Sequence, residues 1–494
     1  MKKKVLFWID QSLIQFGIAK FLHEHFDCDM FSIFEITEKP KNFFQNQNIV
    51  NFQKIWFLHD YLLNNDTLDI EYLRLIEKKY AINLHLIALN DRLFNELNTY
   101  HHFSHDEILL ILQNEIKLFE KILDEINPDF IIMPVSHQQH NHIFYKICKS
   151  RKIKILMVVD SRIGIDANKK GHVTRRYFIG DDLDPYASLP VETTNSNSNT
   201  DTIFEKDYDY HFLSSNKKYL KAASKFFITS DKNVNTHYSY LGRQKIKVIF
   251  KTFAYELRKK YRSNFMNKNL ATKISQDGKK YAYFPLHQEM ERALLIGAPF
   301  YINQFNHIKH IANSLPVGYK LIVKDHPEMA VRGWRSVDEM KQIMKFPNVI
   351  LLHPFSNSDE IINQCDLVFS IKGSTGIEAA LMKKPSIIFG EVGMYKLSNM
   401  ILVTSMLELP KIIEQALTQK ISEDEIELYK KSVYENSFDF PYYELTTGLE
   451  EQFKEGGYYT NVEISQDKMS HFFDKHNEEF SYLIQKFIKK MESN

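Results

Sequence analysis

The residues with the clearest chemical meaning follow an apolar segment that ends at Ser370. A loop containing Gly373 turns the chain there, and Ser374 or Thr375 begins a segment with helical periodicity. Backbone amides and hydroxyl groups at the N-terminus of a helix favour anions, so this loop suits a nucleotide phosphate. The alternative is that Ser374 and Thr375 only cap a helix that packs on a sheet.

A second polar cluster ends another apolar segment earlier in the chain, at Lys324-Asp325-His326-Pro327. Pro327 stops the strand and fixes the local turn. Lys324 and His326 are then directed to the carboxyl end of the strand, where open parallel sheets bind their ligands. Together with the Ser374 loop, this cluster supplies a cation, an imidazole donor and hydroxyl groups around a space the size of a phosphate.

These two motifs resemble the C-terminal half of the GT-B glycosyltransferases of capsular polysaccharide biosynthesis. Among these, the bacterial sialyltransferases and the Kdo transferases use a His-Pro motif and a Ser-rich motif to hold a CMP-activated sugar. The preceding segment, Tyr283-Phe284-Pro285-Leu286-His287, resembles the Pro-Leu-His element of the same group. The resemblance covers residues 280–390.

The resemblance implies a role for each residue of these motifs. His326, Ser374 and Thr375 are expected to contact the donor phosphate, and His287 is expected to bind substrate. Ser370 and Lys372 are expected to flank the phosphate, and Glu378 to lie near the nucleoside. The implied nucleotide-binding set is Lys324, His326, Pro327, Ser370, Lys372, Gly373, Ser374, Thr375 and Glu378.

The resemblance also implies a catalytic carboxylate in the N-terminal half. Asp160 follows the apolar segment Ile153–Val159 and matches the catalytic Asp of the family's acidic motif, although both flanking residues differ from that motif. Glycosyl transfer needs a carboxylate that deprotonates the acceptor hydroxyl or attacks the anomeric carbon. Asp10 follows the first predicted strand in the same way, and Glu289 is a further candidate. A helix cap is the alternative role for Asp160 and Asp10.

Candidate substrate ligands lie in the predicted strand-end loops of the N-terminal half. His137 and His140 share one such loop with His142, and we expect them to contact the acceptor sugar. A metal site there is disfavoured, because no Cys or carboxylate completes a ligand set. Arg162 is positioned to neutralise a donor carboxylate or to orient the acceptor. We predict no metal and no cofactor apart from the nucleotide-sugar donor.

Two Rossmann-like doubly wound α/β domains are predicted from the alternation of short apolar and longer amphipathic segments. They span residues 1–184 and 271–425, and we expect them to face a cleft, as in the GT-B fold. Residues 185–207 are predicted to be a flexible polar loop, 208–270 a helical connector, and 426–494 a helical segment that packs back on the N-terminal domain. The predicted strands are Val5–Ile9, Lys54–Leu58, Leu84–Leu89, Phe130–Pro134, Ile153–Val159, Tyr281–Phe284, Tyr319–Val323, Val349–Leu352, Asp366–Ser370 and Ser386–Phe389.

Composition limits the class of protein. The chain has 494 residues, of which 44% are hydrophobic and 25% charged, so it has enough apolar material for several folded domains. The net charge of +1 argues against a nucleic-acid partner. Three widely separated cysteines fit neither a disulfide framework nor a zinc site, which favours a reducing compartment. We therefore expect a cytoplasmic protein, with peripheral contact to the inner face of the membrane or to a polysaccharide-assembly complex left open.

Several functions are consistent with these motifs. The first is transfer of a Kdo-like or nonulosonic acid from a CMP-activated donor to a surface glycan. The second is phosphotransfer from a CDP-polyol, as in teichoic-acid synthesis, which additional histidine chemistry in the N-terminal half would support. The motifs also fit a UDP-sugar 2-epimerase and a non-catalytic nucleotide- or glycan-binding protein of the same fold.

Overall fold

The chain forms two compact units in a computed structural model. The first unit comprises Met1–Pro185, Asp201–Lys245 and Ser437–Asn494, and the second comprises Tyr186–Thr200 and Ile246–Asn436. Most of the predicted loop at 185–207, and residues 208–236 of the predicted connector, lie outside the described residues. The structure describes residues 2–36, 38–63, 66–94, 99–166, 173–180, 202–203, 237–274, 278–289, 291–390, 397–453 and 464–493.

The strands are short and apolar, as buried parallel strands usually are. In chain order they are β1 (Lys3–Ile9), β2 (Cys28–Phe34), β3 (Lys54–Phe57), β4 (Phe130–Ile132), β5 (Lys154–Asp166), β6 (Val173–Gly180), β7 (Thr202–Ile203), β8 (Lys280–Pro285), β9 (Tyr319–Lys324), β10 (Val349–Leu352), β11 (Leu367–Ser370), β12 (Ser386–Ile388), β13 (Met400–Leu402) and β14 (Phe438–Asp439).

Helices connect most of these strands. Within the described residues, no helix is both long enough and apolar enough to cross a membrane. In chain order the helices are α1 (Ile14–His25), α2 (Glu38–Asn46), α3 (Ile70–Tyr80), α4 (Leu84–Leu89), α5 (His105–Ile126), α6 (Gln139–Ser150), α7 (Lys245–Asn269), α8 (Arg292–Leu295), α9 (Gln304–Ser314), α10 (Pro327–Val331), α11 (Val337–Ile343), α12 (Ser358–Gln364), α13 (Ser374–Leu381), α14 (Leu409–Thr418), α15 (Glu423–Asn436), α16 (Tyr442–Phe453), α17 (Gln466–Lys475) and α18 (Asn477–Glu492).

The sheet of the first unit has the strand order β14-β6-β5-β4-β1-β2-β3. Its five strands from β5 to β3 are mutually parallel, whereas β6 pairs with β5 in the antiparallel sense and β14 pairs with β6 in the antiparallel sense. Side chains alternate across β1, so that Val5 and Phe7 enter the apolar core on one face while Leu6 and Trp8 enter the core on the other. Both faces are therefore covered, as in a doubly wound domain.

The sheet of the second unit is parallel throughout and has the strand order β10-β9-β8-β11-β12-β13. Counted within its own unit this is the Rossmann order 3-2-1-4-5-6, and the first unit has the corresponding order 3-2-1-4-5. The predicted fold class, with two doubly wound α/β units, is confirmed. A cleft between them stays a prediction.

Leu84–Leu89 was wrongly predicted to be a strand and forms α4 instead. The side chain of Asn83 accepts a hydrogen bond from the amide of Leu86 and so caps the helix. Leu84 and Ala88, four residues apart, are buried, whereas Leu89 is exposed. This burial follows the helical period, which a run of six largely apolar residues does not reveal.

The strand predicted over Ile153–Val159 does not end at Val159, because β5 continues to Asp166. β4 pairs with β5 only as far as Leu156, and β6 then pairs with β5 from Met157 onwards in the antiparallel sense. β6 supplies hydrogen-bond partners for the backbone of β5 in this region, so the chain can stay extended instead of turning. The register shifts between Asp160 and Gly164, so Asp160 lies where regular pairing is interrupted.

The C-terminal helices pack on α1 within the first unit. The last part of the predicted helical segment 426–494 forms α17 and α18, which are separated at His476, whose backbone is not helical. Phe480 is fully buried, and its ring stacks on that of Phe21 with centroids 5.2 Å apart. A Cβ at Gly17 would lie 2.5 Å from the ring of Phe480, so α1 approaches α18 at a position that only glycine permits.

Removing the ring of Phe480 should destabilise the first unit. Phe480→Ala leaves a cavity against Gly17 and Phe21, and we expect it to lower the free energy of unfolding by about 3–5 kcal/mol. Gln485→Ala, at an exposed position of the same helix, is the matched control and should change stability by less than about 0.5 kcal/mol. Chemical denaturation measures both, and equal stability of the two variants would contradict this packing.

Candidate functional site

The predicted nucleotide-binding residues of the second unit converge at one edge of its sheet. His287 follows β8, His326 follows β9, and Lys372 follows β11. These three strands are neighbours, and the order of the sheet reverses between β8 and β11. Open α/β sheets bind ligands at the carboxyl ends of the strands where the order reverses. We call this group of residues the second-unit site.

Close packing between two loops shapes this site. The amide of Lys372 donates to Nε2 of His287 over 3.2 Å, and the amide of Gly373 donates to Oγ of Ser370 over 3.0 Å. A Cβ on residue 373 would lie 2.7 Å from Nε2 of His287, so any larger residue would displace the ring. Ser370 is fully buried. Its hydroxyl group supports the loop from within.

Ser374 and Thr375 are the first two residues of α13 and not its cap. The N-cap position belongs to Gly373, and no side chain accepts a hydrogen bond there. The alternative that these hydroxyl groups serve only to cap the helix is therefore wrong. Ser374, Thr375 and Glu378 are all partly exposed. A helix start whose cap makes no side-chain hydrogen bond has backbone N–H groups that an anion can satisfy.

His326 is held as a neutral hydrogen-bond donor. It is the N-cap of α10, with Pro327 as the first helical residue, and its Nδ1 accepts a hydrogen bond from the amide of Glu328 over 3.2 Å. Burial lowers the pKa of His326 to about 4, so the ring is neutral at physiological pH. Because Nδ1 is an acceptor, the single ring proton is on Nε2, which can donate to a phosphate oxygen.

Lys324 adds positive charge to the second-unit site from a buried position. Its side chain is 4% exposed, and Nζ donates to the carbonyl oxygen of Pro354 over 3.2 Å. Burial lowers the pKa of Lys324 to about 8, against the opposing effect of the nearby carboxylates of Asp325 and Glu378. The amine is therefore mostly charged at neutral pH, and the carboxylate of Glu378 lies close enough to raise its pKa.

Arg335, which sequence reasoning missed, holds the loops after β8 and β9 together. Its fully buried guanidinium donates from Nε to Oδ1 of Asp325 over 2.8 Å and from Nη2 to the carbonyl of His287 over 2.5 Å. Its Nη1 pairs with Glu289. The carboxylate of Glu289, predicted as a candidate catalytic group, is thus a partner of Arg335. Arg335 lies outside every motif, so the sequence carried no signal for it.

The first unit has its own polar cluster at the equivalent edge. Asp10 follows β1, Glu35 follows β2, His59 follows β3, and the loop after β4 contains His137 and leads to His140 in α6. Neighbouring parallel strands bring these residues to one edge, and β1 and β4 flank the point where the strand order reverses. We call this group the first-unit site.

A buried ion pair lies at the centre of the first-unit site. Nε2 of His140 lies 2.9 Å from Oε1 of Glu35, and both side chains are at most 8% exposed. Nε1 of Trp8 donates to Oε2 of Glu35 over 2.9 Å, and the Trp8 ring stacks on that of His140. Burial opposes both charges, but their mutual attraction prevails: the pKa of Glu35 is lowered and that of His140 is raised. At neutral pH the pair is ionised.

Two further histidines contact each other beside this pair. The ring centroids of His59 and His237 are 3.5 Å apart, and burial lowers the pKa of each well below its usual value. Neither ring nitrogen of His59 has a hydrogen-bond partner within the part of the chain that the structure describes. A buried polar group without a partner is costly unless a ligand supplies one. These neutral rings are suited to the hydroxyl groups of a sugar.

Helix α6 is anchored by acidic residues that are distant in sequence. Oδ2 of Asp91 accepts a hydrogen bond from the amide of Gln139 over 2.7 Å, at the N-terminus of the helix. The side chain of Gln139 donates to Oε1 of Glu115 over 2.7 Å, and the hydroxyl of Tyr238 lies 3.1 Å from Nδ1 of His140. Burial raises the pKa of Glu115 to about 8. The network fixes the His140 ring, and Asp91, Glu115 and Tyr238 lie outside every sequence motif.

Asp10 and His137 come together in the same cluster. Oδ1 of Asp10 accepts hydrogen bonds from the amide and the hydroxyl of Ser12, at 2.9 and 2.5 Å. Asp10 therefore closes a turn, while Leu13 holds the N-cap position of α1, so the helix-cap role predicted as an alternative for Asp10 is wrong. Burial lowers the pKa of His137, although the charges of Asp10 and Glu35 oppose this effect.

Asp160 lies on β5, four residues beyond the last residue that pairs with β4. It pairs with Tyr177, and cross-strand partners share one face of a sheet. The ring of Tyr177 is 5.6 Å from that of Tyr442, whose pKa is raised by burial and by the charge of Asp10. Tyr442 therefore lies near both Tyr177 and Asp10. The side chain of Arg162 lies outside the described residues.

Comparison with known proteins gives one family match. Residues 192–398 match the family described as capsule polysaccharide biosynthesis protein, which confirms the resemblance carried by the His-Pro and Ser-rich motifs. No curated protein matches the chain.

Solved structures resemble the chain at low identity. The Thermosulfurimonas dismutans KpsC beta Kdo 2,7 transferase is 11% identical, with 83% of this chain and 97% of that chain covered and a TM-score of 0.31. The beta Kdo 2,4 transferase of the same protein is 11% identical, with 70% and 96% covered and a TM-score of 0.33. The UDP-GlcNAc 2-epimerase of Neisseria meningitidis is 13% identical, with 88% and 100% covered and a TM-score of 0.27.

Breaking the buried pair should destabilise the first unit in a pH-dependent way. Glu35→Gln leaves His140 without its counter-ion, and we expect a loss of about 3–5 kcal/mol of unfolding free energy. Because the pKa of Glu35 is lowered, its full contribution to the free energy of unfolding is present above about pH 4.3. Because the pKa of His140 is raised, the full contribution of His140 is present below about pH 6.5. The difference from the wild type should therefore be largest between these values, and it should shrink as the pH falls through the folded pKa of Glu35 or rises through that of His140.

The control for this variant is Glu125→Gln, which removes a surface pair with Lys54. Such exposed pairs contribute about 0–1 kcal/mol. Denaturation measured across the pH range compares the two variants. A Glu35→Gln protein as stable as the Glu125→Gln protein at about pH 5.5, between the two ordinary pKa values, would contradict the ion pair.

Proposed function

We propose that this chain is a glycosyltransferase of capsular polysaccharide biosynthesis that takes its sugar, a Kdo-like or nonulosonic acid, from a CMP-activated donor. The family match over residues 192–398 supports the glycosyltransferase assignment. The His-Pro and Ser-rich motifs support the cytidine donor by resemblance. The proposed acceptor is a surface glycan.

The observation that carries this proposal is the second-unit site. Three groups lie at one edge of a Rossmann-ordered sheet, at or after the ends of its strands. They are a neutral His326 with its proton on Nε2, a buried Lys324 and the N-terminus of α13. Each of these groups supplies a hydrogen-bond donor or a positive charge for a phosphate. Such a set suits a phosphate that carries a single sugar and a nucleoside.

The two units have different roles in this proposal. The second unit binds the nucleotide, and the first unit binds the acceptor through the neutral rings of His59 and His237 and through His137. Positive charge from Lys324 and from the helix N-terminus neutralises the departing phosphate. We therefore propose that the reaction needs no metal ion and that EDTA leaves its rate unchanged.

Asp160 is the proposed catalytic carboxylate. In an inverting reaction it removes the proton from the acceptor hydroxyl as that oxygen attacks the anomeric carbon, and CMP leaves. In a retaining reaction its oxygen attacks the anomeric carbon first and CMP leaves; the acceptor hydroxyl then displaces the carboxylate from the glycosyl-enzyme intermediate and releases its proton to solvent. Asp10, whose charge acts on Tyr442 beside the ring of Tyr177, is the second candidate.

Replacing His326 should weaken nucleotide binding. His326→Ala removes the Nε2 donor, and we expect CMP to bind less tightly by about 1–3 kcal/mol. Isothermal titration with CMP, CDP and UDP measures the effect and the base preference in one series. His310→Ala, at an exposed position of α9, is the matched control. Unchanged CMP affinity in His326→Ala would contradict the site, and tighter binding of UDP than of CMP would contradict the cytidine donor.

Replacing Asp160 should abolish transfer without affecting the nucleotide. Asp160→Asn keeps the shape of the side chain, and we expect the rate to fall by about 10²–10⁴ while CMP affinity and melting temperature stay unchanged. Release of CMP from a CMP-sugar in the presence of acceptor measures the rate. If Asp160→Asn turns over normally and Asp10→Asn does not, the catalytic role belongs to Asp10.

A further inference from the structure

Helix α7 has an apolar stripe that faces away from the unit to which it belongs. Large apolar side chains recur every three or four residues over four turns, and each is between about half and three-quarters exposed. A globular protein normally buries such a stripe in its core. The stripe consists of Ile246, Ile249, Phe250, Phe253, Leu257 and Tyr261, which are 70%, 48%, 70%, 65%, 55% and 62% exposed.

The opposite face of α7 holds the helix on the second unit. Arg262 donates from Nη1 to the carbonyl of Trp334 over 2.6 Å, and Met266 is buried in the apolar core. The ring of Tyr255 lies so close to Gly333 that a Cβ there would meet it at 2.8 Å. The orientation of α7 is therefore set by specific contacts, and the stripe is exposed because of them.

The charge of α7 identifies the surface that would cover the stripe. Among its residues are eight lysines and arginines but only one acidic residue, Glu256. On a helical projection Arg258 borders one side of the stripe, Lys260 lies within the stripe near its C-terminal end, and Lys259 lies toward the rear. An apolar stripe bordered by cations is the pattern of a helix that lies in the surface of an anionic bilayer. A protein partner would need a groove that matches both the apolar stripe and the cations. An anionic bilayer offers an apolar interior and negatively charged headgroups without any need for shape complementarity.

We propose that α7 binds the second unit to an anionic membrane surface, with its axis in the plane of the bilayer. Phe250, Phe253 and Leu257 enter the boundary between headgroups and acyl chains, and the flanking cations contact lipid phosphates. The stripe spans about 22 Å at 1.5 Å per residue, enough for several lipids. This inference goes beyond the proposed function and does not depend on it, because it needs neither the nucleotide nor catalysis.

Co-sedimentation of the full chain with vesicles tests the proposal. We expect binding to phosphatidylcholine vesicles that contain phosphatidylglycerol, and little binding to phosphatidylcholine alone. The triple variant Phe250→Ser, Phe253→Ser and Leu257→Ser should bind the anionic vesicles about tenfold or more weakly. The matched control carries Leu75→Ser, Val317→Ser and Leu407→Ser at exposed apolar positions elsewhere, and it should bind like the wild type.

A charge variant and a mass measurement complete the test. Arg258→Glu with Lys260→Glu keeps the apolar residues of the stripe intact, and it should weaken binding most at low salt, because salt screens the attraction. The proposal is overturned if the wild-type chain does not bind anionic vesicles, or if the stripe variant binds them as tightly as the wild type. A wild-type dimer that the stripe variant converts to a monomer in light scattering also overturns it, because a second copy would then cover the stripe.

Discussion

Residues that follow neighbouring parallel strands must emerge at the same edge of a sheet, and both candidate sites depend on this constraint. In each unit the strand order reverses once, between β1 and β4 or between β8 and β11, so that the connecting helices diverge to opposite faces. The divergence leaves a crevice at the carboxyl ends of these strands, which the loops at that point line. Asp10 and His137 lie there in the first unit, and His287 and Gly373 lie there in the second.

Loops that carry polar groups need rigid support, and each unit supplies it with a buried charge. Arg335 joins the loop after β8 to the loop after β9 through Asp325 and the carbonyl of His287. The pair of Glu35 and His140 joins the end of β2 to α6. Such groups contribute little net stability, because desolvation offsets their attraction. Removing one partner is nevertheless costly, and only one arrangement of the loops satisfies both charges.

Local signals in the sequence were sufficient for most of the strands and for the motifs of the second unit. Pro327 fixes its turn through its own backbone preference, and the Gly-Ser-Thr-Gly motif is contiguous, so His326 and Ser374 could be assigned from their neighbours alone. Glu35 and His140 are 105 residues apart, and Arg335 and His287 are 48 apart. Neither contact has a local pattern. Asp160 was misplaced in a loop for a related reason, because the partner that extends β5 is a separate strand, β6, whose pairing no residue near Asp160 encodes.

The two sites differ in the way they hold charge, and this difference matches the ligands proposed for them. In the second unit burial leaves His326 neutral, whereas Lys324, with its pKa lowered to about 8, stays mostly charged at neutral pH, so the site carries positive charge. A bound phosphate favours the charged form of the Lys324 amine and accepts a hydrogen bond from Nε2 of His326. In the first unit the charges of Glu35 and His140 already satisfy each other, and the rings of His59 and His237 beside them are neutral. That site can therefore bind uncharged hydroxyl groups without disturbing an ion pair. The first unit thus has the electrostatics suited to an acceptor sugar, and the second has those suited to a nucleotide.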